Sequence, residues 1–501
     1  MTSGVDGDTV VLQRQSGGTA TRPDEPERTI LLPRISTDPV DELVERVRPR
    51  LNRAVDALQV AAALEAEGHT DRAAQVEYGY SDVFTLASEV FKRMGPPSPA
   101  ADATTDPAGP DVLRWVGLRT LWHGPLYVLP SAAFPAVLAV VGRPGLVLGL
   151  VLAGTLGWVW SGVAGYAAYR LLGLGRPRSA ARVLRIAAVA GPLAGVALGA
   201  AVAPYGGLPL AVMAVCQLAY QMAGTLLTFY RREAWLAVAM APAFLLGAAY
   251  LVAGGPTLRG WAVVAAALGV LAAFAAALAA TRPTAGTEEA AARDPLWPPP
   301  SALLGVTGYG LGSAVLLFHA QAPYLLGRLD IAAAAVPLIL SMGYVEWRTS
   351  RFRSNAVELT RRARRPGPFV AGIWRMIGRE VAGCLAVPAV LGAALLLGLA
   401  RVGMLSAPGV LMTVAHVALA GAYYLAFLLV GRGRYGWLSL SMAVAVVAHV
   451  GVGALLGVAP LLGQDGAAFV DTSLYLGSVV LLQALFALGL LPVIGQVRHY
   501  R

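Results

Sequence analysis

The sequence predicts an all-α polytopic membrane protein of about twelve transmembrane helices in two six-helix bundles, with a small helical module on the cytoplasmic side before them. Three observations predict it. The 501 residues are 56% hydrophobic and only 14% charged, where a soluble chain of this length carries about a quarter charged residues. Apolar runs of span length recur from residue 124 onward, and about 20 such residues cross a bilayer. Arginine gathers in every second connection between those runs.

Charge divides the chain. Before His123 there are thirteen Lys/Arg against nineteen Asp/Glu; from His123 onward, twenty-six against ten. A basic balance can mark a nucleic-acid binder, but here the cations lie between apolar spans, so topology accounts for them and no nucleic-acid partner is expected. Cys216 and Cys384 both sit in apolar runs, so neither a metal nor a disulfide spacing exists.

Residues 1–36 hold no apolar stretch of signal-peptide type and read as a polar, disordered tail. A soluble helical module is expected over 37–95. Asp38-Pro39 starts it, since Asp caps free N–H groups and Pro lacks one. Val40, Leu43, Val47, Leu51, Val55 and Leu58 then share a helix face, and Gly68 stops it. A second helix starts at Thr70-Asp71. A third, capped by Ser81, carries Val83, Leu86, Val90 and Phe91. A Pro/Ala/Asp/Thr linker covers 96–110. Over 111–123, Trp115, Leu118 and Trp122 share a face opposite Arg114 and Arg119, which predicts a helix lying in the membrane interface.

Twelve spans follow, over about 124–142, 145–170, 182–204, 207–230, 234–254, 260–281, 299–324, 329–346, 379–400, 406–430, 436–458 and 471–495. The first six make one bundle (124–281), a cytoplasmic linker covers 282–298, and the second six make the other (299–495); 496–501 is a tail. With the N-terminus inside, the cytoplasmic connections hold twenty-two arginines and the outer ones four: Arg143, Arg259, Arg328 and Arg401. Cationic loops stay on the cytoplasmic side, so the sequence predicts a bacterial cytoplasmic membrane protein with both termini in the cytoplasm. An internal repeat supports the division. Tyr230-Arg231-Arg232-Glu233-Ala234-Trp235-Leu236 joins spans 4 and 5, and Arg432-Gly433-Arg434-Tyr435-Gly436-Trp437-Leu438 joins spans 10 and 11.

No catalytic constellation, P-loop, zinc spacing or Ser/His/Asp arrangement is present, so neither enzyme activity nor a cofactor is expected. Asp330, Glu346 and Glu380 are expected near span ends, and Asp465 and Asp471 in the last outer loop. That leaves no intramembrane carboxylate for an ion site. Polar residues inside spans are the candidates for function. Gln217, Gln221, Thr225 and Thr228 fall on one face of span 4 and either line a cavity or bond a neighbouring helix. His319 and Gln321 in span 7, His416 and Tyr423 in span 10, and His449 in span 11 invite the same two readings. Gly308 and Gly312 in span 7 make a GxxxG, which serves close packing. The connection 346–379 sets Phe352, Ala356, Leu359 and Ala363 on one face against Arg348, Arg351, Glu358, Arg361, Arg362 and Arg365. It reads as a basic amphipathic helix resting on anionic membrane lipids, receiving a phosphorylated lipid or glycan, or docking a partner enzyme.

The 6 + 6 body with its two matched basic turns resembles the multidrug/oligosaccharidyl-lipid/polysaccharide (MOP) flippase superfamily. Within it, Tyr344-Val345-Glu346-Trp347-Arg348-Thr349-Ser350-Arg351-Phe352 is most similar to the Pel-type exopolysaccharide exporters. There a span-ending glutamate precedes an aromatic- and charge-rich helix. The resemblance implies a polysaccharide or lipid-linked glycan exporter that works by alternating access around a cavity flanked by spans 1, 2, 7 and 8. Gln217, Gln221, Tyr309, His319 and Gln321 would face the cavity. Arg170 and Arg351 would stand at its cytoplasmic mouth, and Arg348, Arg361, Arg362 and Arg365 at the mouth or on lipid. The chain departs from the family pattern in the arginine content of that helix and in its N-terminal module. Two other readings stay open: a scaffold subunit that recruits a cytoplasmic glycosyltransferase through 37–95, and a transferase using Asp465 and Asp471.

Overall fold

A computed structural model of the chain describes residues 38–51, 56–94, 120–282, 295–324, 327–362, 366–458 and 467–496. Every described element is helical. The chain divides into two compact units, Met1–Gly109 and Pro110–Arg501. The expected tail 1–36, the linker 96–110, the Trp115 face of the interfacial helix and most of the linker 282–298 lie outside the described residues.

Among the described residues the first unit has four short helices, Pro39–Leu51, Ala57–Ala66, Asp71–Glu77 and Val83–Met94. Side-chain oxygens start them as the sequence predicts: Asp38 accepts from the Val40 N–H at 2.9 Å and Thr70 from the Ala73 N–H at 3.3 Å. Two details differ. Asp56 caps a new helix by accepting from the Gln59 N–H at 2.9 Å, so the expected single helix to Gly68 is two. The restart changes the phase: Val60, Ala61 and Leu64 enter the core while Leu58 is exposed. The cap before Val83 is Asp82, which accepts from the Thr85 N–H at 2.7 Å; Ser81 donates its hydroxyl to Asp82. Gly68 ends its helix at φ +94°, where a side chain would be strained.

The second unit is the membrane body. Among the described residues, eleven of its helices are long and apolar enough to cross a bilayer. One of them, Pro177–Phe229, has 53 residues and would run about 80 Å if straight, against a hydrocarbon core of about 30 Å. It folds back at Gly207, whose φ is +68°. Beyond the bend the two halves run antiparallel: Gly195 packs on Val215 and Gly199 on Ala211, so closely that a Cβ at either would come 2.9 Å from the opposing backbone. The body therefore crosses the membrane twelve times. Span 1 is His123–Val141, interrupted by a 3-10 turn at Leu129–Ala133. Span 2 is Arg143–Gly173, and spans 3 and 4 flank Gly207. Spans 5 to 7 are Glu233–Ala253, Pro256–Ala280 and Pro300–Gln321. Spans 8 to 10 are Val336–Arg362, Pro366–Arg401 and Ala407–Val430. Span 11 runs Tyr435–Leu455 through a π-turn at Val447–Gly451, and span 12 is Ala468–Ile494.

The two halves have separate cores. One apolar cluster joins spans 2 to 6 through residues such as Leu171, Leu184, Met222 and Met240. Another joins spans 7 to 12 through Leu316, Leu338, Tyr424, Tyr475 and Phe486. The halves meet where span 1 packs on span 8 and span 2 on span 7. Exchanging 1 with 7 and 2 with 8 turns each pair into the other, as a two-fold repeat requires. Within the halves, span 5 packs on span 1 as span 11 packs on span 7. At the arginine-rich end the approach is backbone to backbone. A Cβ on Gly124 would run into the main chain at Leu340, and one on Gly343 into the carbonyls of Thr120 and Leu121. The outward surface carries exposed Leu193, Trp235, Leu245, Trp261, Leu271 and Val390, which suits lipid as solvent.

The segment 346–379 is not a separate interfacial helix. Span 8 runs on to Arg362 and span 9 begins at Pro366, so the two form a helical hairpin. Phe352 and Ala356 pack with Phe369 and Ile373 in the second-half core. The apolar stripe read as a lipid-facing surface is covered by the next helix.

Candidate functional site

The structure separates the five cavity candidates into two groups. Gln217 lies in the first half, on a cavity of ≈ 370 Å³ bounded by spans 1, 4, 5 and 6. Its walls are almost wholly apolar, among them Val137, Val141, Leu208, Met213 and Val270, with Gln217 and Tyr220 bringing polar groups. One turn along span 4, Gln221 donates its amide to the Gly154 carbonyl of span 2 at 3.2 Å, and Thr225 donates to the Gln221 carbonyl at 3.0 Å. The polar face of span 4 thus lines a cavity at Gln217 and braces span 2 at Gln221.

His319 and Gln321 belong to a buried network in the second half, and Tyr309 packs against the same core. The network's centre is Asp471, which is 6% exposed. It stands in the first turn of span 12, not in an outer loop. Tyr324 donates its hydroxyl to Asp471 Oδ2 at 2.8 Å, and His449 Nε2 lies 2.9 Å from Oδ1. The π-turn carries His449; such insertions recur at functional sites. The His449 ring meets His319 edge-on at 5.3 Å and Tyr475 at 5.4 Å. His416 Nδ1 sits 2.8 Å from the Met412 carbonyl, so Nδ1 donates and Nε2 accepts from the Gln321 amide at 3.2 Å. Both His319 ring nitrogens are buried with no hydrogen-bond partner among the described residues.

Asp471 thus stands near a span end, but buried and hydrogen-bonded rather than exposed in a loop. Glu380 is a second case: span 9 starts thirteen residues earlier than its hydropathy suggests, and Glu380 is 1% exposed within that helix, ion-paired with Arg348 of span 8. A buried carboxylate within a membrane is costly unless paired, and both have partners. The arrangement gathers a carboxylate, a phenol and an imidazole into one hydrogen-bonded cluster withdrawn from the surface. The signal available in the sequence is the spacing Asp471, Tyr475, Ser478, which puts three polar groups on one face of span 12; all three are buried.

The cationic candidates also divide. Arg170, at the end of span 2, donates to the Pro295 carbonyl at 3.3 Å. Arg348 pairs with Glu380 and lies over the Tyr344 ring at 5.6 Å. Arg351 is exposed, with its guanidinium 5.4 Å over Trp347. Arg361 and Arg362 close span 8, and Arg365 lies outside the described residues, as does Asp465. Among the described residues no group of three His, Cys, Asp or Glu is placed to hold a metal ion.

No protein-family model matches the chain, and no curated protein matches it. Among solved structures it is similar to an inward-facing multidrug resistance MATE family transporter of the MOP superfamily. There the TM-score is 0.51 at 14% identity, covering 76% of this chain and 99% of that one. It is also similar to a MATE in the bent conformation (TM-score 0.47, 14% identity, 77% and 95% covered). A third similar structure is a MOP superfamily transporter from Pyrococcus furiosus (TM-score 0.47, 12% identity, 77% and 96% covered). The first likeness shows the fold alone: the membrane body shares the helical fold of that structure, in two six-helix halves.

Proposed function

We propose that the protein moves a glycan-bearing substrate across the bacterial cytoplasmic membrane by alternating access, with both termini inside and no enzymatic step of its own. The carrying observation is the pair of separately cored halves joined along spans 1/8 and 2/7. Such halves can rock as rigid bodies, because packed cores resist deformation while their interface rearranges. Of the two substrate classes, the lipid-linked glycan is favoured over the bare polysaccharide. The first-half cavity is apolar except at Gln217 and Tyr220, which suits a hydrocarbon chain and leaves a sugar's hydroxyls without partners. The exposed Arg351, with Arg170 at the end of span 2, suits the phosphates of such a lipid or of anionic headgroups. The stretch Tyr344–Phe352 resembles the Pel-type exopolysaccharide exporters and keeps the bare polysaccharide as the alternative cargo.

The test is transbilayer movement of a fluorescent isoprenyl-diphosphate sugar in proteoliposomes of the purified full chain. Movement above protein-free vesicles is expected, with loss on filling the cavity by Met213→Trp. Rates equal to empty vesicles overturn the transport reading. A second reading, a scaffold that recruits a glycosyltransferase through 37–95, is favoured by that module's own core and its exposed Leu58, Val76 and Phe84. Under it, deleting residues 1–110 removes a bound enzyme and leaves vesicle transport at its background.

A further inference from the structure

At the arginine-rich face, carboxylates from two spans converge on the imidazole that opens a third. His123 begins span 1, Glu233 begins span 5, and Glu346 lies on span 8. His123 Nδ1 is 2.6 Å from Glu346 Oε2, and its Nε2 is 3.6 Å from Glu233 Oε1. The three side chains are 12%, 28% and 10% exposed. Two of them belong to the first half and one to the second.

We propose that His123, Glu233 and Glu346 form a proton-binding site shared between the halves, and that a proton on the His123 imidazole locks the halves together on this face. A neutral imidazole carries hydrogen on one nitrogen and a lone pair on the other; imidazolium donates from both. Carboxylates on both edges of the ring therefore suit the charged form, because the neutral ring turns a lone pair toward one carboxylate.

Other ionisable groups stand around the site. The phenol of Tyr127, one turn along span 1, interacts with Glu346, and Tyr169 of span 2 feels both carboxylates. Arg231, in the turn before span 5, acts on Tyr169. Arg348, two residues from Glu346, is paired with Glu380. The same face carries the backbone contacts of Gly124 and Gly343, so the carboxylate of span 8 reaches His123 only when spans 1 and 8 touch. Closing this face takes up a proton and opening releases it. For one linked proton the closed-to-open ratio then falls by up to about tenfold per pH unit as pH rises.

The inference uses the rocking of the halves proposed above, but its readout is a distance between helices and needs no substrate, so lack of transport and lack of a lock are separate results. The full chain carrying Cys216→Ser and Cys384→Ser is spin-labelled through Trp235→Cys on span 5 and Ser350→Cys on span 8. It is placed in nanodiscs, and distance distributions are recorded from pH 5.5 to 9. The short-distance population is expected to dominate at the acid end and to fall with rising pH. His123→Gln, and separately Glu346→Gln, are expected to flatten that response, while Asp471→Asn keeps it. A wild-type distribution independent of pH overturns the proposal. So does a pH response that survives both substitutions, or one that Asp471→Asn alone removes.

Discussion

Replacing Gly124 by alanine tests the packing of the two halves most directly. The added Cβ falls on the main chain of Leu340 across the span 1–span 8 contact. A flexible side chain could swing away from such a clash; a helix backbone cannot, so the two helices must part. Overpacking of this kind costs about 1–3 kcal/mol. The cost falls only on the arrangement in which spans 1 and 8 touch, since in a separated arrangement the methyl meets no opposing helix. The closed population is therefore expected to drop by about 5- to 150-fold. The same spin-label pair reads the change at fixed pH. Gly162→Ala in span 2 is the control, because a Cβ there meets nothing within 4 Å, and its distances should match wild type. Gly343→Ala should repeat the effect of Gly124→Ala from the other side of the contact. A Gly124→Ala protein that folds and keeps the wild-type distance distribution would refute the argument that backbone contact holds this face shut.

Two further outcomes follow from the buried and capped carboxylates. Asp471→Ala leaves the Tyr324 hydroxyl and His449 Nε2 buried without their shared acceptor, at a cost of about 3–5 kcal/mol; thermal unfolding in detergent should show a clear loss, with Asp471→Asn losing less, and equal melting of the alanine variant and wild type would count against the network. In the N-terminal unit, the Arg93 guanidinium holds the Asp38 carboxyl below the usual range, helped by the Val40 N–H, and the Ser81 hydroxyl with the Thr85 N–H does the same for Asp82. Carboxyls held low stabilise the fold above their unfolded values and lose that contribution as pH falls through the folded ones, so amide protection factors in the described helices of 38–94 of the full chain, corrected for intrinsic exchange, should fall below about pH 4 and hold between pH 5 and 8.

The twelve crossings were legible because each needs only an apolar run, and a run is a local property. Even the fold-back at Gly207 showed in the sequence as a boundary between two runs, though the helix is continuous on either side of it. What a helix face touches is not local. The stripe Phe352, Ala356, Leu359 has the period of an interfacial helix, and the period is correct, but Phe369 and Ile373 of the next helix cover it rather than lipid. Asp471 looked like a loop acid because hydropathy places a span's end where the charge is. Its burial depends on Tyr324 and His449, 147 and 22 residues away. Leu58 shares the apolar face of Val47 and Leu51 only if one helical phase runs through Asp56, whose side chain instead starts a new helix. Of the cavity candidates, Gln217 faces the first-half cavity, while His319 and Gln321 sit in a network that sequence spacing within span 7 could not connect to spans 11 and 12.

The continuity of spans 8 and 9 has a mechanical consequence. Their 27 and 36 residues make rods of about 40 and 54 Å, longer than the bilayer's apolar thickness, stapled side by side through Phe352, Phe369 and the Arg348–Glu380 pair. A stiff double rod rooted in one half behaves as a lever arm. Tilting within the lipid is amplified at its arginine-bearing tip, and whatever grips that tip, whether a headgroup layer or another macromolecule, acts back on the tilt with the same leverage.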